Sequence, residues 1–119
     1  MLLSILRAKI HRAVVTETDL DYVGSITIDE NLMDAVGMLN FEQVHVWNLT
    51  NGSRLQTYVI PGPRGSGVIC LNGAAAHLTR VGDRVIVASF AQMDEKEAKG
   101  FQPKIAIINS HNAIEKVLE

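Results

Sequence analysis

Short apolar segments separated by turn signals make up most of this chain, and they constrain its fold more than any other feature. Residues 6–14 carry apolar side chains at alternate positions, as on one face of a β-strand. Similar strand-like segments cover residues 22–28, 44–49, 55–60, 68–71, 84–90 and 104–108. Six or seven short strands with few helical turns in 119 residues favour a closed or nearly closed β-barrel, built as one domain over residues 1–119.

The turn signals give the connections between these strands. Asn51-Gly52 predicts a hairpin turn, and Asp29 is expected to cap a short helix that runs through Val36 and stops at Gly37. The segments expected between the strands are a loop over 61–67, a tight turn into a short helix over 72–77, a helical turn or two over 93–99, and a partly helical or loose tail from residue 110. On the first strand, the predicted inward face comprises Leu6, Ala8, Ile10 and Val14, which leaves Lys9 and His11 on the other face.

Composition excludes several classes of protein. Eleven basic residues stand against thirteen acidic ones, so the chain lacks the basic excess of a nucleic-acid-binding surface. The apolar N-terminus is interrupted by Arg7 and Lys9, which makes it too short for a membrane span or signal peptide. Cys70 is the only cysteine and lies in an apolar run, as expected of a buried thiol in a cytoplasmic protein. The four histidines are too dispersed to predict a metal site.

The pair Gly24-Ser25 is the first candidate for chemistry. A serine hydroxyl can attack the carbonyl before it and turn the amide into an ester, and a preceding glycine relieves crowding in the strained geometry required. Elimination from the ester leaves dehydroalanine, which hydrolyses to a pyruvoyl group. Taken alone, however, a Gly-Ser pair more often marks a bend or bulge in a strand.

The return strand of the predicted hairpin supplies two partners for this pair. Thr57 is a candidate donor to the carbonyl of Gly24, where negative charge would develop during attack. Tyr58 is a candidate general acid. The alternatives are a strand hydroxyl satisfied by the backbone and an aromatic ring at the edge of the core, and for any Thr-Tyr pair these are favoured.

Cations and small residues complete the candidate site. Arg54 suits a bidentate carboxylate clamp, and Lys9 would add a second positive charge for a dicarboxylic substrate, although solvated charge is the alternative for both. Arg12 is interpreted as solvated charge, and the role of His11 stays open. Residues 72–76 have little bulk over their backbone, so free amides at the start of a helix there could bind a carboxylate. A tight turn packed against the core is the alternative.

Taken together, these residues resemble the aspartate 1-decarboxylase family, the pyruvoyl enzymes that make β-alanine for pantothenate synthesis. The resemblance covers essentially the whole chain, and the order and spacing of its motifs make it specific. The motifs are Lys9-Ile10-His11-Arg12, Tyr22-Val23-Gly24-Ser25, residues 47–54 before Thr57-Tyr58, residues 72–77, Val81-Gly82-Asp83 and Ala88-Ser89-Phe90.

The resemblance implies a small double-psi β-barrel with short helices and a homotetramer whose active sites lie between subunits. Self-cleavage between Gly24 and Ser25 would give chains 1–24 and 25–119, with Ser25 becoming the pyruvoyl group that forms a Schiff base with L-aspartate. By the same resemblance, Thr57 assists cleavage and contacts substrate, and Tyr58 donates the proton. The substrate-binding residues implied are Lys9, Arg54, Thr57, Gly73, Ala74 and Ala75. No metal and no pyridoxal phosphate are implied.

Two alternatives are kept beside this interpretation. The chain could be an uncleaved barrel that serves as a binding or scaffold module, which the integrity of the Gly24–Ser25 bond would decide. It could also keep the pyruvoyl chemistry and act on glutamate, which comparing CO2 release from the two amino acids would decide. The sequence leaves open whether cleavage needs a maturation factor.

Overall fold

Nine strands, two short α-helices and one 3₁₀ helix make up the computed structural model, which describes all residues 1–119. The strands are β1 (Leu3–Val14), β2 (Glu17–Asp19), β3 (Ser25–Asp29), β4 (Gln43–Asn48), β5 (Arg54–Gly62), β6 (Ile69–Asn72), β7 (Arg84–Met93), β8 (Lys104–Ile108) and β9 (Ile114–Leu118). The α-helices are α1 (Glu30–Val36) and α2 (Glu95–Gly100), and the 3₁₀ helix covers Gly73–His77.

The strands close into a small barrel because β1 continues almost directly into β2. β1 pairs with β7, whereas β2 pairs with β6, and Thr16 N–H between them donates to Ile69 O at 2.8 Å. The ring therefore runs β1–β2, β6, β3, β5, β4, β7 and back to β1. β8 and β9 extend the sheet from the other edge of β1.

Two strands of this ring each lie between one parallel and one antiparallel neighbour. β3 is parallel to β5 and antiparallel to β6, and the β1–β2 strand is parallel to β6 and antiparallel to β7. In both cases the two neighbours follow one another in the chain, which is the crossed connection of a double-psi barrel. The prediction of a mainly β, small barrel with short helices is confirmed.

The barrel encloses one apolar core of 19 buried residues. Ile10, Ile26, Ile28 and Val85 are among its fully buried members, and α1 covers one end with Leu32 and its neighbours. Burying each such side chain stabilises the fold by about 1.5–3 kcal/mol. The core thus fixes the register of β3, the strand that begins at Ser25.

Several local predictions are confirmed. Gly52 has a φ of 80° in the turn between β4 and β5, and Trp47 pairs with Arg54 across that hairpin. Asp29 caps α1 by accepting from Asn31 N–H at 2.9 Å. Gly37 ends the helix in the left-handed conformation. The 3₁₀ helix forms where residues 72–77 predicted a turn into a short helix.

Other local predictions are wrong. The strand expected over 22–28 begins only at Ser25, because residues 20–24 form an exposed turn that pairs with no strand. β5 continues through Pro61 and Gly62, which the sequence assigned to a loop, because β3 pairs with both residues. The tail forms β9 against β8 rather than a helix or a loose end.

The inward face of β1 also differs from its prediction. Arg12 adopts a φ of 71°, and the register with β7 shifts between Ile10 and Ala13. This bulge turns Ala13 into the core and leaves Val14 half-buried. A strict alternation over the whole strand therefore predicts the wrong face for its last two residues.

Candidate active site

Ser25 lies at the start of β3 with its hydroxyl buried and held from two sides. Only 1% of the residue is exposed. Its Oγ donates to Val23 O at 3.0 Å and accepts from Asn72 Nδ2 at 2.9 Å. Gly24, the residue before it, is exposed and lines a cavity. The hydroxyl is thus fixed beside the peptide bond that the sequence singled out.

Asn72, at the end of β6, is the group that orients this hydroxyl. It is 2% exposed, and it pairs directly with Ser25 across the antiparallel β3–β6 ladder. Its Nδ2 also donates to Thr27 Oγ1 at 3.0 Å, while its Oδ1 accepts from Cys70 Sγ at 3.2 Å. Burial, reinforced by nearby carboxylates on β2, raises the pKa of the Cys70 thiol and keeps it a neutral donor.

Gly73 allows the next turn to approach the Gly24 backbone closely. It has a φ of 65°, which favours glycine. A Cβ on Gly73 would lie 2.7 Å from Gly24 Cα, 3.0 Å from Gly24 N and 3.2 Å from Tyr22 O. Only a residue without a side chain fits this position, so the turn and the Gly24–Ser25 bond are packed as one unit.

A cavity of about 380 Å³ opens beside this bond. Its lining residues are Gly24, Leu55, Gln56, Thr57, Tyr58, Asn72, Ala74, Ala75 and Leu78. Ala74 and Ala75 stand in the first turn of the 3₁₀ helix, where backbone N–H groups lack acceptors within the helix. The structure therefore brings together most of the residues that the sequence predicted, including Thr57 and Tyr58.

The two predicted substrate cations lie outside this cavity. Arg54 lines a neighbouring cavity of about 500 Å³ that shares Leu55 and Gln56 with the first. Its guanidinium carbon lies 4.7 Å from the centroid of the Trp47 ring. Lys9 is linked to Gln56 only through the row Lys9–Ala88–His45–Gln56 across β1, β7, β4 and β5. Three strand spacings separate them, which is about 14 Å measured along the curved sheet.

His11 lies on β1 near Lys9 and is not part of the cavity lining. Its Nδ1 is buried without a hydrogen-bond partner. Burial, together with the charges of Lys9 and Arg12, lowers the pKa of His11 below its usual value. No group of three or more His, Cys, Asp or Glu side chains is placed to hold a metal ion. None of the helices has the length and apolar character needed to cross a membrane.

Sequence reasoning missed Asn72 as a site residue. The sequence pattern indicates Asn72 only as the first residue of a turn with small side chains, and it assigns the side chain no role. The signal available was its position directly before Gly73 in a strand that ends at that turn. Asn72 lies opposite Ser25 because β6 pairs with β3, and local sequence patterns do not predict this long-range pairing.

Comparison with known proteins shows the family to which the chain belongs. The family model described as aspartate decarboxylase matches residues 1–115. An aspartate 1-decarboxylase of Carboxydothermus hydrogenoformans is 58% identical over 119 residues, which cover 100% of this chain and 94% of that protein. The aspartate 1-decarboxylase of Bacillus subtilis is 57% identical over 115 residues, covering 97% and 91% of the two chains. That of Clostridium beijerinckii is 54% identical over 117 residues, covering 98% and 94%. The chain therefore belongs to the aspartate decarboxylase family.

Proposed function

We propose that this chain is an aspartate 1-decarboxylase that converts L-aspartate to β-alanine and CO2, and so supplies pantothenate synthesis. Membership of the family supports the reaction. The observation that carries the proposal is the buried Ser25 hydroxyl. Asn72 holds it next to the Gly24–Ser25 peptide bond, beside a cavity that Tyr58 also lines.

The cofactor proposed is a pyruvoyl group made from Ser25 by cleavage after Gly24. The residues present fit its formation, because Ser25 Oγ is oriented by two hydrogen bonds and the glycine at position 73 leaves room for the Gly24 backbone. A cavity beside the bond then gives the new group access to a substrate. Neither a metal nor pyridoxal phosphate enters this proposal.

Cleavage would begin with attack of Ser25 Oγ on the carbonyl carbon of Gly24. The Oγ–C bond forms and the C–N bond breaks, so the amide becomes an ester and the nitrogen of residue 25 becomes an amine. Thr57, in the cavity lining, would donate to the oxygen on which negative charge develops. Elimination then releases the Gly24 carboxylate, and hydrolysis of dehydroalanine releases ammonia and leaves the pyruvoyl group.

In the decarboxylation itself, the protein's own residues bind the substrate and move one proton. When present, the pyruvoyl group supplies the electron sink for loss of the α-carboxylate. Tyr58 would hold the proton that is delivered to the α-carbon. Ala74 and Ala75 line the cavity, and their backbone, together with that of the neighbouring Gly73, would bind and orient the substrate.

The side-chain carboxylate of aspartate would be bound by Arg54 and Lys9. The guanidinium of Arg54 lies over Trp47 at the neighbouring cavity and offers bidentate hydrogen bonds. Lys9 is separated from β5 by two intervening strands, β7 and β4, and it does not line the cavity that contains Tyr58. We therefore propose a homotetramer with active sites between subunits, in which the Lys9 of a second copy would complete the cavity. The cytoplasmic location stays a prediction, and the need for a maturation factor stays open.

The test is CO2 release by the purified protein from L-aspartate and, separately, from L-glutamate. We expect release from L-aspartate with formation of β-alanine and little from L-glutamate. Ser25→Ala should abolish release, whereas Ser4→Ala, at an exposed serine of β1, should leave it unchanged. Release from glutamate alone would refute the substrate, and release by Ser25→Ala would refute the origin of the cofactor.

A further inference from the structure

The turn before β4 contains a bulky aromatic residue in a backbone conformation that such residues rarely adopt. Phe41 has a φ of 70°. Glu42 N–H donates to Leu39 O at 3.1 Å, so residues 39–42 form a β-turn with Phe41 at its third position. Turns with a positive φ at that position favour Gly or Asn there. The sequence instead places its asparagine one residue earlier, at Asn40.

Burial within its own chain does not explain why phenylalanine occupies this strained position. The residue is 68% exposed in the single chain, so it adds little to the barrel core. The backbone is held in place by β5, because Phe41 N–H donates to Val59 O at 2.7 Å and Val59 N–H donates to Glu42 O at 3.0 Å. These bonds fix the turn beside the strand position that follows Tyr58.

The Phe41 ring lies against the ring of Tyr58. Their centroids are 6.1 Å apart and their planes are inclined at 51°, within the range of interacting aromatic pairs. Gln43 stands opposite Tyr58 in the β4–β5 ladder, but its amide donates to Gln56 and not to Tyr58. The exposed, strained phenylalanine is therefore the aromatic neighbour that limits where the Tyr58 ring can turn.

We propose that Phe41 is a positioning residue for Tyr58, which keeps the Tyr58 hydroxyl directed into the cavity beside Gly24. This inference rests on the proposed function, in which Tyr58 delivers the proton. Without the neighbouring ring, Tyr58 would occupy other rotamers on the outer face of β5. Misplacing a catalytic group by about 1 Å can slow a reaction by about 100-fold. The strained backbone at Phe41 would therefore lower stability while the ring contact raises kcat.

The test compares Phe41→Asn with Phe41→Tyr. Asparagine suits the turn but removes the ring, so we expect kcat for L-aspartate to fall by about tenfold or more. KM should stay within about twofold, and the unfolding temperature should stay the same or rise. Tyrosine keeps the ring, so kcat should stay within about twofold. Leu39→Asn is the matched control, because Leu39 is equally exposed in the same turn and should leave all three values unchanged.

Two further measurements separate this role from a general effect on structure. In a Tyr58→Phe background, Phe41→Asn should cause no additional loss of kcat, because both changes act through one group. The chain has only two tyrosines, so ring-labelled tyrosine gives two NMR signals. Phe41→Asn should move the Tyr58 signal and leave that of Tyr22 in place.

Normal kcat in Phe41→Asn, a Phe41→Tyr variant as slow as Phe41→Asn, additive losses in the double variant or an unmoved Tyr58 signal would each overturn the positioning role. Failure of the unsubstituted chain to release CO2 from aspartate would instead refute the proposed function. The NMR measurement still decides the contact in that case, because it does not depend on activity.

Discussion

Replacing Gly73 by alanine should slow self-cleavage strongly while the chain still folds. An alanine Cβ would stand 2.7 Å from Gly24 Cα, and reaching the 3.4 Å of ordinary contact requires a shift of about 0.7 Å in the backbone. The left-handed conformation costs alanine about 1–2 kcal/mol, and overpacking against backbone adds about 1–3 kcal/mol. The total of about 2–5 kcal/mol lowers the free energy of unfolding without abolishing the fold of a typical domain.

The effect on cleavage should be larger than the effect on stability. A displacement of this size moves the Gly24 carbonyl relative to Ser25 Oγ, so we expect cleavage to slow by at least tenfold. Gly52→Ala is the control, because Gly52 has a φ of 80° but no atom lies within 4 Å of an added Cβ. It should lose only about 1–2 kcal/mol and cleave normally.

The assay follows the cleaved fraction by mass spectrometry during incubation, together with thermal unfolding of both variants. Cleavage of Gly73→Ala at the same rate as Gly52→Ala would refute the reasoning. It would mean that the close approach of the turn to Gly24 has no part in the chemistry.

Three other variants test single contacts. Tyr58→Phe should still cleave but lose most turnover, and unchanged turnover would remove Tyr58 as the proton donor. Asn72→Leu should slow cleavage by about tenfold or more, because Ser25 Oγ loses an oriented donor worth about 1–3 kcal/mol; cleavage at the normal rate would contradict that role. Burial is the largest single influence on Glu42 and opposes its ionisation, but the hydrogen bonds that the carboxylate accepts, led by that from Arg7, and the charge of Arg7 together outweigh burial and lower the pKa of Glu42 below the ordinary 4.5. The pair therefore stabilises the fold above that pH and less as the pH falls, so Glu42→Gln should lower the unfolding temperature at pH 7 and flatten its decrease in acid.

Local patterns in the sequence predict those parts of the fold that local chemistry decides. Asn51-Gly52 specifies a hairpin, and Asp29 and Gly37 bound α1, because turn and cap preferences depend on one or two residues. The sequence patterns do not predict β2 and β9. Both strands are short and largely exposed, and neither has alternating apolar residues. β2 exists through its pairing with β6, which lies far away in the sequence, whereas β9 pairs with β8, the strand directly before it.

The candidate site shows the same division. The types of residue at Ser25, Thr57 and Tyr58 indicate the chemistry, and the cavity beside Gly24 brings them together. The hydrogen bond from Asn72 to Ser25 arises from the pairing of β6 with β3, which periodicity does not reveal. The separation of Lys9 from the cavity likewise follows from the order of strands around the barrel.

The central claim is that Ser25 becomes a pyruvoyl group, and the intact mass of the purified protein under denaturing conditions tests it most directly. We predict two chains, residues 1–24 and a fragment that begins at position 25 and is lighter by one ammonia than the same fragment with an N-terminal serine. A single chain of 119 residues that persists through prolonged warm incubation, both alone and in a cell extract that would supply a maturation factor, would contradict the account.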